Sequence, residues 1–185
     1  GGEFYWDSAS VELDNGGTII KVSTITTGRW KRLDLSYLNV RMFGAHGVVA
    51  TDALAFQAAI DVIGRSTGTI TRGTIYIPSG DYLIDTQLEV AQQAIYFQGE
   101  AGAVIKWEGN NTTAIFQVID SARSVWDTLV LLGKDASQPT AAIYFAEPVG
   151  SAVGTNESCR VINCNIGRRF AQESGAAWAL QRGIW

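Results

Sequence analysis

Thr51-Asp52-Ala53-Leu54-Ala55-Phe56-Gln57-Ala58-Ala59-Ile60-Asp61 is followed, after a short gap, by Gly73-Thr74-Ile75-Tyr76-Ile77-Pro78-Ser79-Gly80-Asp81-Tyr82-Leu83-Ile84. The first run places Phe56, Ala59, Ile60 and Ile63 on one face at the 3.6-residue period of a helix. Thr51 stands where an N-cap belongs, and Asp52 falls in the first turn, where a negative charge suits the helix dipole. The predicted helix runs from Ala53 to about Ile63, closes at Gly64 and is the single convincing helix of the chain. The second run reads as two short strands, with Pro78 stopping the first and Gly80 permitting the tight corner between them.

Downstream, short apolar strands follow one another. They are expected at Thr74–Ile77, Tyr82–Ile84, Ala94–Gln98, Val104–Trp107, Ala114–Ile119, Ser124–Leu132, Ala141–Ala146 and Cys159–Ile166, with Gly, Asn, Asp, Ser or Pro in most gaps. No further amphipathic helix is available to make βαβ crossovers, and tight-hairpin dipeptides are scarce. That combination fits parallel strands stacked in coils, a solenoid of four or five turns at very roughly 25 residues each. An internal echo supports it: the ten residues from Ser124 to Gly133 resemble the ten from Ser158 to Gly167, an offset of 34.

Upstream, residues 1–38 lack helical periodicity and form a separate neck or linker. Asp14-Asn15-Gly16-Gly17 is a hairpin signal flanked by β-like runs, Thr18–Val22 being the clearest. Aromatic clusters mark both ends, Phe4-Tyr5-Trp6 and Gly28-Arg29-Trp30. So short a segment buries little by itself and is expected to pack on the next domain or on another chain.

Composition narrows the function. Of 185 residues, 46 are Val, Ile or Thr and 20 are Gly, while charged residues make up 17%, which favours strands and turns over helical bundles. A net charge of −4 argues against nucleic acid or an anionic membrane as partner. The lone histidine, His46, removes multi-His metal sites and makes a histidine-based triad a poor fit, so no metal and no cofactor are expected. Cys159 and Cys164 have neither redox nor zinc-ribbon spacing and read as small packing residues without a disulfide.

Asn39-Val40-Arg41-Met42-Phe43-Gly44-Ala45, the helix run and Gly73–Ile84 together resemble the entry to the pectate-lyase-like right-handed parallel β-helix. Phe4-Tyr5-Trp6-Asp7, Asn15-Gly16-Gly17-Thr18 and Gly28-Arg29-Trp30-Lys31-Arg32 resemble the neck that precedes that β-helix in bacteriophage tailspikes. The resemblance is well matched over about Phe4 to Ile84. It implies an all-β fold in which residues 39–185 form the N-terminal part of a parallel β-helix. A helix at about 52–64 covers the first coil, where strand edges would otherwise be exposed. One departure stands out. The acidic turn before the helix is reduced to Gly47-Val48-Val49-Ala50-Thr51-Asp52, so an ion or hydrogen-bond network is not expected there.

Tailspikes of this kind bind, and often cleave, bacterial surface polysaccharide. Hydrolysis needs two carboxyls roughly 5 to 10 Å apart, and Asp81 and Asp85, four residues apart on one strand, would stand about 13 Å apart. The remaining acids, among them Glu89, Glu100, Asp120 and Asp127, are scattered in sequence. Trp107 beside Glu108 is the candidate carbohydrate-binding pair, an aromatic platform next to an acid. Trp126 and Trp178 read as core or interface residues, Arg168-Arg169 as a solvated turn, and Trp6 and Trp30 as neck or trimer-interface contacts. Catalytic residues are not identifiable.

The resemblance thus implies the N-terminal part of a longer homotrimeric tailspike in the virion tail. It would attach to other phage tail proteins on its N-terminal side and recognise, and as a full protein depolymerise by hydrolysis or elimination, a host capsule or O-antigen. A free secreted polysaccharide lyase or hydrolase on the same fold and a non-enzymatic virion connector are the alternatives.

Overall fold

A computed structural model of the chain describes residues 2–35, 37–64, 71–91, 93–109, 114–134, 141–146, 158–168 and 182–184. The neck is a small antiparallel sheet of β1 (Phe4–Asp7), β2 (Ile19–Ile20) and β3 (Arg29–Arg32), with β3 in the middle. The expected turn at residues 14–17 forms, but not between two paired strands. The Asn15 side-chain oxygen instead accepts the N–H groups of Gly17, Thr18 and Ile19, and Asp14 accepts those of Gly16 and Lys21. These side chains replace the ladder that a hairpin would supply.

Then come β4 (Leu38–Asn39), a short 3-10 turn over Val40–Phe43 and α1 (Val49–Val62). The helix starts earlier than Thr51 implied. Val48 occupies the N-cap position without a side-chain cap, and the Thr51 hydroxyl donates back to the Val48 carbonyl from inside the first turn. Twelve strands follow: β5 (Thr71–Ile77), β6 (Gly80–Ile84), β7 (Leu88–Ala91), β8 (Gln93–Gly99), β9 (Ala103–Trp107), β10 (Ala114–Ile119), β11 (Val125–Asp127), β12 (Val130–Gly133), β13 (Ala141–Ala146), β14 (Arg160–Ile162), β15 (Asn165–Arg168) and β16 (Arg182–Ile184). Every third strand is a neighbour. The three parallel sheets are β4-β5-β8-β11-β14, β6-β9-β12-β15 and β7-β10-β13-β16. The chain therefore winds through four coils of three strands, a parallel β-helix.

Two expected strands prove to be pairs. Ser124–Leu132 and Cys159–Ile166 each break at a corner, where Thr128 (φ 56°) and Asn163 (φ 52°) adopt the left-handed conformation. β7 carried no separate expectation. The internal echo is real but one residue out of register. Val125 pairs with Arg160 and Val130 with Asn165, an offset of 35, and a one-residue slip would turn every inward side chain outward. Coil length varies: Ile75 pairs with Phe97, Phe97 with Trp126 and Trp126 with Val161.

Those four residues form one interior stack of the first sheet. The Phe97 and Trp126 rings lie 5.3 Å apart at 15°, with Phe116 meeting both. Cys159 and Cys164 are free thiols packed at the edge of this core, and burial pushes both thiols above their ordinary range.

The N-terminal end of the solenoid is closed one sheet at a time. β4 pairs with β5. The second sheet ends on β6, whose Leu83 N–H is taken by Asp52 of α1. The third ends on β7, where the Gln57 side-chain amide of α1 donates to the Glu89 carbonyl and accepts the Glu89 N–H, as a neighbouring strand would. Helix and β4 thus leave fewer main-chain groups unpaired at the edges.

Candidate functional site

Strand alternation separates the predicted carbohydrate pair. Trp107 is fully buried inside the coils, so its ring has no face open to a sugar, and the expectation that it stacks on one is corrected. Glu108 follows at the corner, where its N–H bonds the Ile84 carbonyl and its carboxylate lies 4.0 Å from the Lys134 ammonium. Adjacent residues at a strand end point in different directions, and Trp107 satisfies the interior instead. Trp126 is likewise interior. Trp178 and Arg169 lie outside the described residues. Asp81 is ion-paired with Lys106. Among the described residues no group of three His, Cys, Asp or Glu side chains could hold a metal ion.

Trp6 and Trp30 do come together. They are cross-strand partners on β1 and β3, with ring centroids 5.3 Å apart, and remain 37% and 41% exposed. Gly28 makes the pair possible. It has φ 109°, and a Cβ there would sit 2.1 Å from the Trp6 ring. On the opposite face of the sheet, Lys31 bridges Asp7 and Glu12, and these two carboxylates push its ammonium pKa upward.

The outer face of the β4-β5-β8-β11-β14 sheet holds a second constellation. Tyr37, just before β4, packs on Tyr76 of β5 with centroids 5.2 Å apart. The Tyr76 hydroxyl bonds the Glu100 carboxylate, which also accepts the Ser79 N–H at 2.9 Å. Tyr96 of β8 donates to Asp127 of β11 at 2.6 Å, and Asp127 accepts further from Thr128 at 2.9 Å and Asn163 at 3.0 Å. Charge follows these contacts. The Ser79 N–H, then Tyr76, hold Glu100 below the usual carboxylate range, and Tyr96, then Asn163, do the same for Asp127. The phenols move the other way: hydrogen bonding to Asp127 raises Tyr96, and burial followed by Glu100 raises Tyr76. At neutral pH this face therefore carries aromatic rings locked to two ionised carboxylates.

Sequence reasoning did not pick out this face. Once Ile75, Ile77, Ile95 and Phe97 are assigned inward, period two puts Tyr76 and Tyr96 outward. Bringing Glu100 to Tyr76 and Asp127 to Tyr96, however, depends on coil lengths that vary.

Comparison with known proteins follows the same division of the chain. Residues 37–147 match the family described as rhamnogalacturonase A/epimerase, pectate lyase-like, and residues 1–35 match the phage tail protein small four-stranded beta-sheet domain. No curated protein matches the chain. Among solved structures, the enzymatically active domain of tailspike protein 2 of bacteriophage CBA120 superposes with a TM-score of 0.64 at 19% identity, over 90% of this chain and 27% of that one. The full-length form of that tailspike, from an Escherichia coli O157:H7 bacteriophage, gives 0.63 at 19% identity over 91% and 24%. Tailspike protein gp49 of Acinetobacter baumannii bacteriophage Fri1, a capsular polysaccharide depolymerase, gives 0.59 at 14% identity over 91% and 34%. The chain thus spans between a quarter and a third of the length of these structures.

Proposed function

The chain belongs to the pectate lyase-like rhamnogalacturonase A/epimerase family, and we propose that it forms the neck and first β-helix coils of a homotrimeric phage tailspike that recognises a bacterial surface polysaccharide. One observation carries the reading. A phage-tail sheet domain over residues 1–35 is joined, with one residue between, to the β-helix family from residue 37. A free polysaccharide enzyme has no use for a phage-tail neck. Within this reading the neck sits on the tail side, in the virion, and the β-helix points toward the host.

The Trp6–Trp30 pair is the contact between protomers. Two adjacent tryptophans, each more than a third exposed, offer apolar area that a second and third copy can cover. Cleavage of the polysaccharide, by hydrolysis or elimination, belongs to residues of a longer protein, and this chain supplies attachment and glycan contact.

Light scattering on the purified chain tests the assembly. A mass of three times 19.9 kDa that falls to the monomer value in the Trp6→Ser, Trp30→Ser double variant is expected. A monomer at all concentrations, together with failure of the chain to compete with phage for host cells, overturns the reading in favour of a free polysaccharide enzyme.

A further inference from the structure

We propose that Asn15-Gly16 is a site of spontaneous deamidation that the folded neck keeps closed. The turn around it is then a latch between neck and solenoid, whose opening becomes irreversible once the asparagine has reacted. The inference goes beyond the tailspike reading and does not rest on it.

The chemistry needs only the chain and water. Glycine after asparagine has no Cβ to hinder the approach of its nitrogen. The Gly16 nitrogen attacks Asn15 Cγ. An N–Cγ bond forms and the Cγ–Nδ2 bond breaks. The amide proton of Gly16 passes through solvent to the departing nitrogen, which leaves as ammonia. Water then opens the cyclic imide at either carbonyl. Position 15 becomes an aspartate, or an isoaspartate whose main chain runs through the former side chain and is longer by one carbon.

Hydrogen bonds hold the site closed. Asn15 Oδ1 accepts the N–H groups of Gly17 at 3.1 Å, Thr18 at 2.9 Å and Ile19 at 3.0 Å, and Nδ2 donates to Thr18 Oγ1 at 2.8 Å. The Gly16 N–H donates to one oxygen of Asp14 at 2.7 Å, while the other takes the Lys21 N–H at 2.8 Å. The electrophile and the peptide plane of the nucleophile are thus fixed separately. Turning the Cγ face onto the Gly16 nitrogen releases the carboxamide bonds, and only conformers in which the reacting atoms meet can react. Burial is not what protects the site. Gly16 is exposed, and Asn15 is half-buried beside a cleft shared with Ala58 and Val62 of α1.

The same turn seats the neck on the solenoid. A Cβ on Gly17 would stand 2.4 Å from the ring of Phe43, in the 3-10 turn at the solenoid entry. The Gly17 carbonyl accepts Arg32 Nε at 3.3 Å, and the Thr18 carbonyl accepts the Arg32 N–H of β3 at 2.8 Å. Isoaspartate replaces Nδ2, the donor to Thr18, by the Gly16 nitrogen and adds a carboxylate beside Asp14. It also inserts a main-chain atom into a turn that has no spare room against Phe43. The old hydrogen-bond pattern cannot re-form, and the neck loses its seat.

The test follows Asn15 by peptide mapping with mass spectrometry at neutral pH, and isoaspartate by enzymatic methylation. It compares the wild-type chain folded and in urea with Thr18→Val and Phe43→Ala variants, each checked for folding by circular dichroism. Asn15 should react at least about tenfold more slowly in the folded chain than in urea, because reaction waits on local opening. Thr18→Val, which keeps the shape and removes the acceptor of Nδ2, should speed the folded reaction and leave the rate in urea unchanged, and Phe43→Ala should do the same. Equal or faster reaction in the folded wild type overturns the inference, as does a folded rate that Thr18→Val leaves unchanged. The isoaspartyl fraction, separated by ion exchange, should show faster hydrogen exchange at the amides of β1 and β3 than the unmodified chain. Equal exchange in the two fractions overturns the latch.

Discussion

The carboxylate of Asp52 accepts the main-chain N–H of Leu83 at 2.8 Å, joining the first turn of the helix to the second strand of the first coil across 31 residues. The same carboxylate takes the N–H groups of His46 at 2.8 Å and Gly47 at 3.0 Å, and the side chain is wholly buried. One acid therefore organises the turn before the helix and closes a sheet edge. The reduced acidic turn retains a hydrogen-bond network after all, because the single remaining carboxylate has enough lone pairs for three donors.

Asp52→Ala removes the acceptor of all three N–H groups. Leaving a fully buried donor unpaired costs about 1–3 kcal/mol, and these three N–H groups are only part-buried, so a total loss of about 2–3 kcal/mol is expected. Asp52→Asn, which keeps one acceptor oxygen, should lie between Ala and wild type. Urea unfolding followed by circular dichroism reads both, and an Asp52→Ala midpoint equal to wild type would contradict the role given to this carboxylate.

Gln57 acts as a surrogate strand for Glu89. Gln57→Leu keeps the helix and removes the amide, exposing the β7 edge. About 1–2 kcal/mol of stability should be lost, and self-association at high concentration should rise. Sedimentation velocity over a concentration series checks the second point.

Thr128 and Asn163 occupy the same corner in consecutive coils, both in the left-handed conformation. Asparagine tolerates that region and a β-branched residue resists it. Thr128→Asn should raise stability by about 0.5–1 kcal/mol, read as a higher Tm. A lower Tm would mean that the Thr128–Asp127 hydrogen bond outweighs the backbone strain.

Asp127 and Glu100 are held below the ordinary carboxylate range in the folded chain. Their contribution is fully present above the unfolded-state value and is lost as pH falls through the folded value. Stability should therefore decline on acidification below about pH 4. Tyr96→Phe removes the hydrogen bond that does most to hold the Asp127 carboxyl down, so that carboxyl should titrate at higher pH in an NMR titration. An unchanged Asp127 titration would exclude Tyr96 as that cause.

The thiols of Cys159 and Cys164 are raised by burial and should react slowly with an aromatic disulfide reagent at pH 8, then quickly in urea. Fast labelling of either thiol in the folded chain would place it outside the core edge.

The sequence by itself determined the kind of structure. Period-two apolar runs without crossover helices imply stacked strands, and one amphipathic segment ending in Gly64 implies one helix, because both signals are local and read over a few residues. The resemblance at residues 39–84 identified the solenoid from its entry. Only the tertiary structure decided which outward residues meet. Coils of unequal length stack Tyr96 beside Asp127 and place Glu100 under Tyr76, while the echo at offset 34 becomes a pairing at 35. Trp107 shows the same limit from the other side. Its neighbour Glu108 suggested a sugar platform, yet the ring fills the interior. Facing is fixed by the register between coils, and that register is a long-range property set by how well the stacked side chains fill the core.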